Sequence, residues 1–345
     1  MKRPVLEIAS SPHVVSANSV ETIMFNVVLA LLPAVAFSIY IFGITAALTI
    51  GAAVVSCLLT EHLLCRAGGA QSTVGDWSAV ITGLLLGLIV PPGLPVWMVA
   101  VGGFLSIGLG KYLFGGLGYN SFNPALVGRA VLQATFPVSM TTWIDAEQVG
   151  RFSELAPTSL AAPLTAATTD VVSGATPLAA WKFDRALADT TELAFGMVSG
   201  SAGETSALVL LLGGVYLIAR NMMNWRTPVA ILGTVAVVSA ILHAIDPGRY
   251  PPAEFMLLSG GLMLGALFMA TDMVGSPITN AGCVVYGILI GVLVLVIRNW
   301  GGMPEGVMYA ILLGNAASPH IDKLIQPRVY GTQRERRASA GEAKA

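Results

Sequence analysis

Residues 27–59 read VVLALLPAVAFSIYIFGITAALTIGAAVVSCLL, a stretch without a single charged side chain. A membrane-spanning helix needs about 20 consecutive apolar residues, because backbone N–H and C=O groups in lipid must be hydrogen-bonded within the chain. This stretch is long enough to supply parts of two such helices. The whole chain has the same character, with 55% hydrophobic and 11% charged residues, against about 25% charged in a typical soluble domain. The sequence therefore predicts an all-α integral membrane protein.

Ten apolar segments are predicted as transmembrane helices, five before and five after a long polar stretch. The first unit of five occupies residues 20–137 and the second occupies residues 205–319. The segments themselves cover residues 20–40, 42–64, 77–90, 94–114, 122–137, 205–220, 227–245, 254–271, 279–298 and 304–319.

The distribution of basic residues predicts the orientation of the chain, because cytoplasmic loops carry an excess of Lys and Arg. A cytoplasmic N-terminal segment, residues 1–19, makes residues 138–204 an external loop and leaves a cytoplasmic, basic and disordered tail at residues 320–345. Lys182, Arg185, Arg249 and Arg298 then lie outside with Arg151, while Arg129 falls within the fifth helix. The cytoplasmic side receives twelve of the eighteen basic residues: Lys2, Arg3, Arg66, Lys111, Arg220, Arg226, Lys323, Arg328, Arg334, Arg336, Arg337 and Lys344.

The two units resemble each other in sequence. DWSAVITGLLLG at residues 76–87 aligns without gaps to EFMLLSGGLMLG at 254–265, and GGLGYNSFNPALVGRA at 115–130 aligns to GGMPEGVMYAILLGNA at 301–316. An odd number of helices per unit predicts inverted-topology repeats. The third helix of each unit is expected to be broken, at Pro91 and Pro92 in the first and at Asp272 and Pro277 in the second. Such breaks mark binding sites. The alternative is that the glycines in the two aligned segments serve ordinary small-residue helix packing.

The external loop contains VVSGATPL at residues 171–178. Gly174 permits a turn, Pro177 fixes the chain that leaves it, and the small neighbours are expected to present the Thr176 hydroxyl outward. This geometry suits covalent modification. The loop offers no histidine as a base for nucleophilic catalysis. The alternative is a flexible turn in a run rich in Ser, Thr and Ala.

S-G-A-T in a loop between two five-helix halves resembles the flavin-attachment motif of the D subunits of Rnf ion-translocating oxidoreductases. The related B subunits of sodium-translocating NADH:quinone oxidoreductases share it. SFNPALVGRA at residues 121–130 and LFMATDMVGSPIT at 267–279 extend the resemblance over most of the chain. In that family the last Thr of the motif carries FMN through a phosphoester. The resemblance implies covalent FMN on Thr176, with Ser173, Gly174 and Ala175 forming the attachment turn.

The resemblance also implies a function and partners. Rnf complexes of the bacterial inner membrane link electron flow between reduced ferredoxin and NAD to the movement of Na⁺ or H⁺. A subunit of this type would accept electrons from a second flavinylated subunit and exchange them with membrane subunits. A noncovalent flavin such as riboflavin could bind between its helices. The sequence has no dinucleotide-binding fingerprint opening a helix after a strand, so NAD chemistry would belong to a partner and no catalytic residue is assigned here.

Residues near these motifs are candidates for flavin binding. Lys182 and Arg185 follow Thr176 closely and could offset the negative charge of a phosphate, although solvated loop charges explain them as well. Arg129, within the fifth predicted helix, could pair with an acid or contact a flavin. Asn123 precedes Pro124 at a predicted helix start, where helix capping competes with ligand binding.

Four carboxylates near the membrane are candidates for an ion path, because ionisable groups there are costly and serve function by default. Carboxylates in a cavity could bind sodium or relay protons. The alternative is that they lie at helix ends, where the membrane interface solvates them. The four candidates are Glu61, Asp76, Glu254 and Asp272.

Other features restrict the class of protein. Cys57, Cys65 and Cys283 lack the spacing of a zinc or iron–sulfur site, so no metal site is predicted. A net charge of −1 gives no attraction to nucleic acid. The rival to an electron-transfer subunit is a stand-alone channel or secondary transporter, since inverted repeats with broken helices are common in that class. A structural scaffold that has lost its cofactor is a third reading.

Overall fold

A computed structural model describes residues 19–69, 73–146, 149–163, 174–204 and 206–327. Within these ranges the protein is built of helices and contains no β-strand, which confirms the predicted all-α class. The helices are α1 (Val20–Phe42), α2 (Ile44–Ala67), α3 (Ser78–Ile89), α4 (Val96–Gly110), α5 (Pro124–Thr135), α6 (Pro137–Thr141), α7 (Pro177–Asp184), α8 (Thr190–Phe195), α9 (Ala207–Ala219), α10 (Arg226–Ile245), α11 (Ala253–Leu258), α12 (Leu262–Leu264), α13 (Asn280–Trp300) and α14 (Val307–Leu324).

Every predicted apolar segment is helical in the structure, with ends that differ by a few residues. Among the described residues, α1, α2, α10 and α13 are long and apolar enough to cross a membrane, as is α4 together with the short helical turn Tyr112–Phe114. Helices α3 and α9 are apolar but shorter. The number of ten membrane crossings therefore stays a prediction.

Local sequence signals explain several helix starts. The Asn123 side chain accepts a hydrogen bond from the Ala125 backbone N–H at 3.1 Å, and Pro124 occupies the first helical position of α5. Thr279 accepts from the Gly282 N–H at 3.0 Å at the start of α13. These side chains satisfy backbone donors that a helix leaves unpaired at its first turn.

The helices form two groups with the same packing pattern. In the first group α2 packs on α3 and α4, and α4 packs on α5. In the second, α10 packs on α11 and α13, and α13 packs on α14. Helix α3 can approach α2 closely because Gly87 has no side chain. A Cβ at that position would lie only 2.8 Å from the Ile50 Cα atom. The groups join where α1 packs on α9, so the core is continuous between them.

The structure has a helix end at both predicted places, and the second half also contains a break that the sequence did not reveal. Helix α3 ends at Ile89 before the predicted pair of prolines. In the second half the helix stops at Leu258, passes through Gly260 with a positive φ of 67°, and resumes at Leu262 with a π-helical turn at Gly265–Met269. The helical turn ends at Met269, just before the predicted Asp272, whereas the additional break forms because Gly260 supplies a left-handed conformation.

Candidate functional site

The SGAT turn packs against the body of the protein rather than extending from it. A Cβ on Gly174 would overlap the Asp145 side chain and lie 2.5 Å from Ser199 Oγ. The Gly174 N–H donates to the Trp143 carbonyl at 3.1 Å. Ser199 Oγ donates to Asp145 Oδ1 at 3.0 Å, which fixes the surface that the turn contacts. Glycine is required at position 174 because the turn lies too close for a side chain.

The Thr176 hydroxyl is not presented outward, and that expectation is wrong. Thr176 is 1% exposed, and its Oγ1 accepts a hydrogen bond from the Ala179 N–H at 3.3 Å. The residue is thus the N-cap of α7, and its backbone leaves toward Pro177 at the first helical position. Ala175 is the exposed member of the turn. Ser173 lies outside the described residues.

The two basic residues after the motif have partners other than a phosphate. Lys182 Nζ donates to the carbonyl oxygens of Arg298 and Gly301 at 3.2 and 2.5 Å, at the end of α13. Its burial lowers the pKa of the Lys182 amine below its usual value. Arg185 Nη1 donates to the Arg249 carbonyl at 2.9 Å. Both side chains therefore fasten α7 to the second helix group.

A cavity, which we call the outer cavity after the predicted external side, lies beside this turn: Trp143 lines it and accepts the Gly174 hydrogen bond through its carbonyl. Arg129 Nη2 and Glu305 Oε2 form an ion pair at 2.9 Å in its wall. From the sequence, Arg129 could either pair with an acid or contact a flavin. The structure shows that it pairs with an acid. Sequence analysis missed Glu305, which comes from the other half of the chain. Glu204 lies nearby, and burial together with the Glu305 carboxylate raises its pKa.

An inner cavity of about 800 Å³ lies between the helix groups at the opposite end. Asn123 lines it and also donates from Nδ2 to the Met269 carbonyl at 3.4 Å, so capping and a place in a cavity coexist. Asp272 lines the same cavity, and its Oδ2 accepts from Asn120 Nδ2 at 3.5 Å. Apolar side chains, several of them methionines, make up most of the remaining wall.

A buried ion pair adjoins the inner cavity. Lys111 Nζ lies 2.6 Å from Glu61 Oε1 and 4.0 Å from Asp76 Oδ2, and it donates to Ser78 Oγ at 2.6 Å. Glu61 is 2% exposed inside α2, so interfacial solvation of this carboxylate is ruled out. Lys111, predicted on the cytoplasmic side, is also 2% exposed and lines the cavity. A pairing across 50 residues leaves no local signal that could have found it.

The structure does not unite all four ion-path candidates. Glu61 and Asp76 meet at Lys111, and Asp272 lines the same cavity. Glu254 lies on the first turn of α11 and lines neither cavity. Within the part of the chain that the structure describes, no cluster of three or more His, Cys, Asp or Glu side chains could hold a metal ion.

These features define a class: a multi-pass helical membrane protein with two similarly packed helix groups, a cavity between them at each end, and a hydroxyl-bearing turn beside one cavity. Comparison with family models places the chain more narrowly. Residues 7–331 match the model of the NQR2, RnfD, RnfE family, and the chain belongs to this family.

Several curated relatives match over nearly their full length. The D subunit of a proton-translocating ferredoxin:NAD(+) oxidoreductase complex from Clostridium ljungdahlii is 40% identical, covering 97% of this chain and 98% of its own. The D subunit of a Na(+)-translocating ferredoxin:NAD(+) oxidoreductase complex from Acetobacterium woodii is 41% identical, covering 94% and 95%. The D subunit of an ion-translocating oxidoreductase complex from Halorhodospira halophila is 40% identical, covering 95% and 96%.

Proposed function

We propose that this protein is the electron-transferring D subunit of an Rnf-type complex, which couples electron transfer between ferredoxin and NAD to ion movement. The names of the relatives support the complex and the reaction. The protein would sit in the bacterial inner membrane beside a second flavinylated subunit and further membrane subunits. The SGAT motif, whose Gly174 N–H donates to the carbonyl of the cavity-lining Trp143, is the observation that carries the proposal for this chain.

Thr176 is the proposed attachment point of FMN, which supplies one- and two-electron chemistry when bound. The hydroxyl lies at the N-terminus of α7, where the helix dipole favours a phosphate. Gly174 holds the turn against Asp145, next to the outer cavity. Ser173 and Ala175 complete the motif, while Lys182 is engaged with carbonyl oxygens and is not proposed as a phosphate ligand.

The inner cavity is the proposed site of a noncovalent flavin such as riboflavin. It lies between the two helix groups and opens to solvent, so a ligand could enter it. The Asn120 and Asn123 amides can bind polar ring edges, and methionines provide an apolar wall. Helix α5 lines both cavities, with Pro124 in the inner one and Leu126 and Arg129 in the outer one. Two sites that share this short helix lie close together, as electron transfer requires.

The proposed topology has two inverted repeats of five helices, with the SGAT turn outside. The like packing of the two helix groups supports the repeat. The inner cavity is lined from segments predicted to face the cytoplasm, including Lys111 and Asp272, and the outer cavity from segments near the external loop. Glu61, Asp76 and Asp272 remain the proposed carboxylates of an ion path. The relatives' names include both protons and Na⁺, so similarity to them does not choose the ion.

The test is covalent flavin on a denaturing gel. The chain, expressed with a flavin transferase, is expected to give a fluorescent band at its own size, 35.8 kDa. Thr176→Ala should abolish the band and Thr176→Ser should retain it, because serine keeps both the hydroxyl and the cap. Thr190→Ala, in α8 of the same external segment, is the matched control.

A chain that carries no flavin under conditions in which other targets are flavinylated would overturn the proposal. If that colourless chain moved a solute into liposomes without partners, the transporter reading would replace it. If it instead co-purified with redox subunits, the scaffold reading would stand.

A further inference from the structure

Four of the five basic residues predicted on the external side line one pocket. Lys182, Arg185, Arg249 and Arg298 line it together with Trp181, Tyr250 and several neighbours, around a volume of about 570 Å³. We call it the basic pocket. Basic residues are few on this side, and like charges repel each other, so their convergence indicates an anionic ligand.

Two arginines are held at this pocket by contacts that leave donors free. The Arg185 guanidinium lies 5.4 Å from the Trp181 ring centroid and donates one hydrogen bond to the Arg249 backbone. The Arg249 guanidinium lies 5.5 Å from the Tyr250 ring centroid. Both arginine side chains are exposed. Stacking orients a guanidinium without using its N–H groups, which can then bind a phosphate in bidentate fashion.

The other two basic groups are hydrogen-bonded but keep their charge. Lys182 donates to backbone carbonyls at the end of α13, and Arg298 donates to the carbonyls of Met256 and Ser259 at 2.6 and 2.9 Å. Among the described residues none of the four forms an ion pair. The carboxylates of Glu204 and Glu305 interact electrostatically with Arg298 without forming an ion pair, and they do not line the pocket. The pocket therefore carries positive charge, and only the share that belongs to Arg298 is offset by acidic groups outside the pocket.

Two apolar stripes lead away from the basic pocket along the outer surface of the helices. On α13 the stripe runs through Trp300, Val296 and Val292, which are 54, 45 and 41% exposed. These residues are four apart and share one face. The Trp300 ring lies 6.0 Å from the Tyr250 ring in the pocket wall.

The second stripe lies on α10, the helix that leads directly to Arg249 and Tyr250. Its members Ile245, Ile241 and Val237 are 72, 55 and 59% exposed and again four residues apart. Apolar stripes that end at aromatic and basic side chains match the profile of a phospholipid, with acyl chains below and a phosphate at the interface.

We propose that the basic pocket binds the phosphate group of an anionic phospholipid of the outer leaflet, whose acyl chains lie along the two stripes. The site does not depend on the proposed flavin. Thr176 does not line the pocket, and its hydroxyl is turned to the Ala179 N–H. A soluble phosphate would leave the apolar stripes unused.

The experiment measures phospholipid retained by the purified complex. The complex is extracted from nanodiscs of phosphatidylcholine and phosphatidylglycerol, and bound lipid is counted by native mass spectrometry. Wild type should retain phosphatidylglycerol in preference to phosphatidylcholine. The double variant Arg185→Gln/Arg249→Gln should bind it roughly thirtyfold more weakly, since two basic residues near a membrane surface contribute about 1 kcal/mol each. Arg151→Gln is the matched control, because Arg151 is external and stacks on Tyr40 and Phe152.

A second measurement needs no variant. A photoreactive phosphatidylglycerol should label wild-type peptides that contain residues 241–251 and 292–300. Equal retention of the two lipids, equal retention by the double variant, or labelling elsewhere would overturn the proposal. So would displacement by millimolar inorganic phosphate, which indicates a soluble anion. Greater retention of phosphatidylglycerol by Thr176→Ala would show that the pocket binds the flavin phosphate instead. Loss of the flavin band with unchanged lipid retention would support the lipid site.

Discussion

Burial of the Thr176 hydroxyl constrains how this residue could be modified. The residue is 1% exposed, and its hydroxyl oxygen already accepts a hydrogen bond from the first turn of α7. A transferase that esterifies this oxygen therefore needs the turn to open, or must act before α7 docks. Lys182 and Leu178 set the strength of that docking, through carbonyl oxygens of the α13 end and through contact with Gly260.

The Arg129–Glu305 pair allows a prediction with a defined asymmetry. The two side chains are 10 and 17% exposed, so water compensates neither charge well. Breaking a buried pair costs about 3–5 kcal/mol. Arg129→Gln should lower the free energy of unfolding more than Glu305→Gln, because it leaves two carboxylates, Glu305 and Glu204, facing each other.

Thermal unfolding in detergent measures this asymmetry. The double variant Arg129→Gln/Glu305→Gln should recover part of the loss, since no charge of that pair is then left alone. Arg220→Gln, at an exposed position, should leave the melting temperature unchanged. Equal losses from the two single variants would show that Glu204 does not interact with the pair.

At this scale the sequence predicts chemistry better than contacts. The motif alone singled out Thr176 as a candidate for modification and Gly174 as a turn residue. The burial of Thr176 depends on the docking of α7, which local sequence does not reveal. Lys111 shows the same limit: the sequence places it near the cytoplasmic end of an apolar segment, and only the fold brings it to Glu61. Pairings between distant residues follow from packing, and one sequence contains no record of them.

Among the elements, the interrupted helix of the second half depends on one side chain. Arg298 Nη1 and Nη2 donate to the carbonyls of Met256 and Ser259, which lose their helical partners at the break. Leaving a buried carbonyl unpaired costs about 1–3 kcal/mol. Arg298→Met should therefore destabilise the protein strongly, and Arg298→Lys should do so less because one ammonium can still donate.

The melting temperatures of these variants should fall in the order wild type, Arg298→Lys, Arg298→Met. Arg220→Met controls for loss of an arginine at an exposed site. Hydrogen exchange at residues 259–262 should rise in Arg298→Met if the break loosens. An unchanged melting temperature in Arg298→Met would mean that other groups satisfy these carbonyls.

Helix positions were predictable because lipid imposes helix on long apolar runs. The first break was also predictable, since Pro91 and Pro92 cannot continue a helix. The break at Gly260 was missed because Ser259, Gly260 and Gly261 look like small-residue packing, and the arginine that stabilises the break lies 39 residues further on. A proline by itself predicts a helix break. A break at glycine can be predicted only if the distant residue that stabilises it is also known.

For the whole molecule, the decisive question is whether the two helix groups are inverted. The three native cysteines, Cys57, Cys65 and Cys283, are buried, so single introduced cysteines can report which side of the membrane they occupy. Val149 follows the fifth predicted helix of the first unit and is fully exposed, and Leu324 follows the fifth of the second and is 85% exposed. Inverted units place these equivalent positions on opposite sides, and parallel units would place them on the same side.

We expect a membrane-impermeant maleimide added to spheroplasts to label Val149→Cys at once, and Leu324→Cys only after permeabilisation. Leu113→Cys, at the end of the fourth predicted helix and 72% exposed in the native residue, should behave like Leu324→Cys. Phe183→Cys, on α7 beside the SGAT turn and 69% exposed, should behave like Val149→Cys. Labelling of Val149→Cys and Leu324→Cys from one side would contradict inversion. Labelling of Phe183→Cys only after permeabilisation would place the SGAT motif in the cytoplasm, where a soluble cofactor would not need a covalent link to be retained.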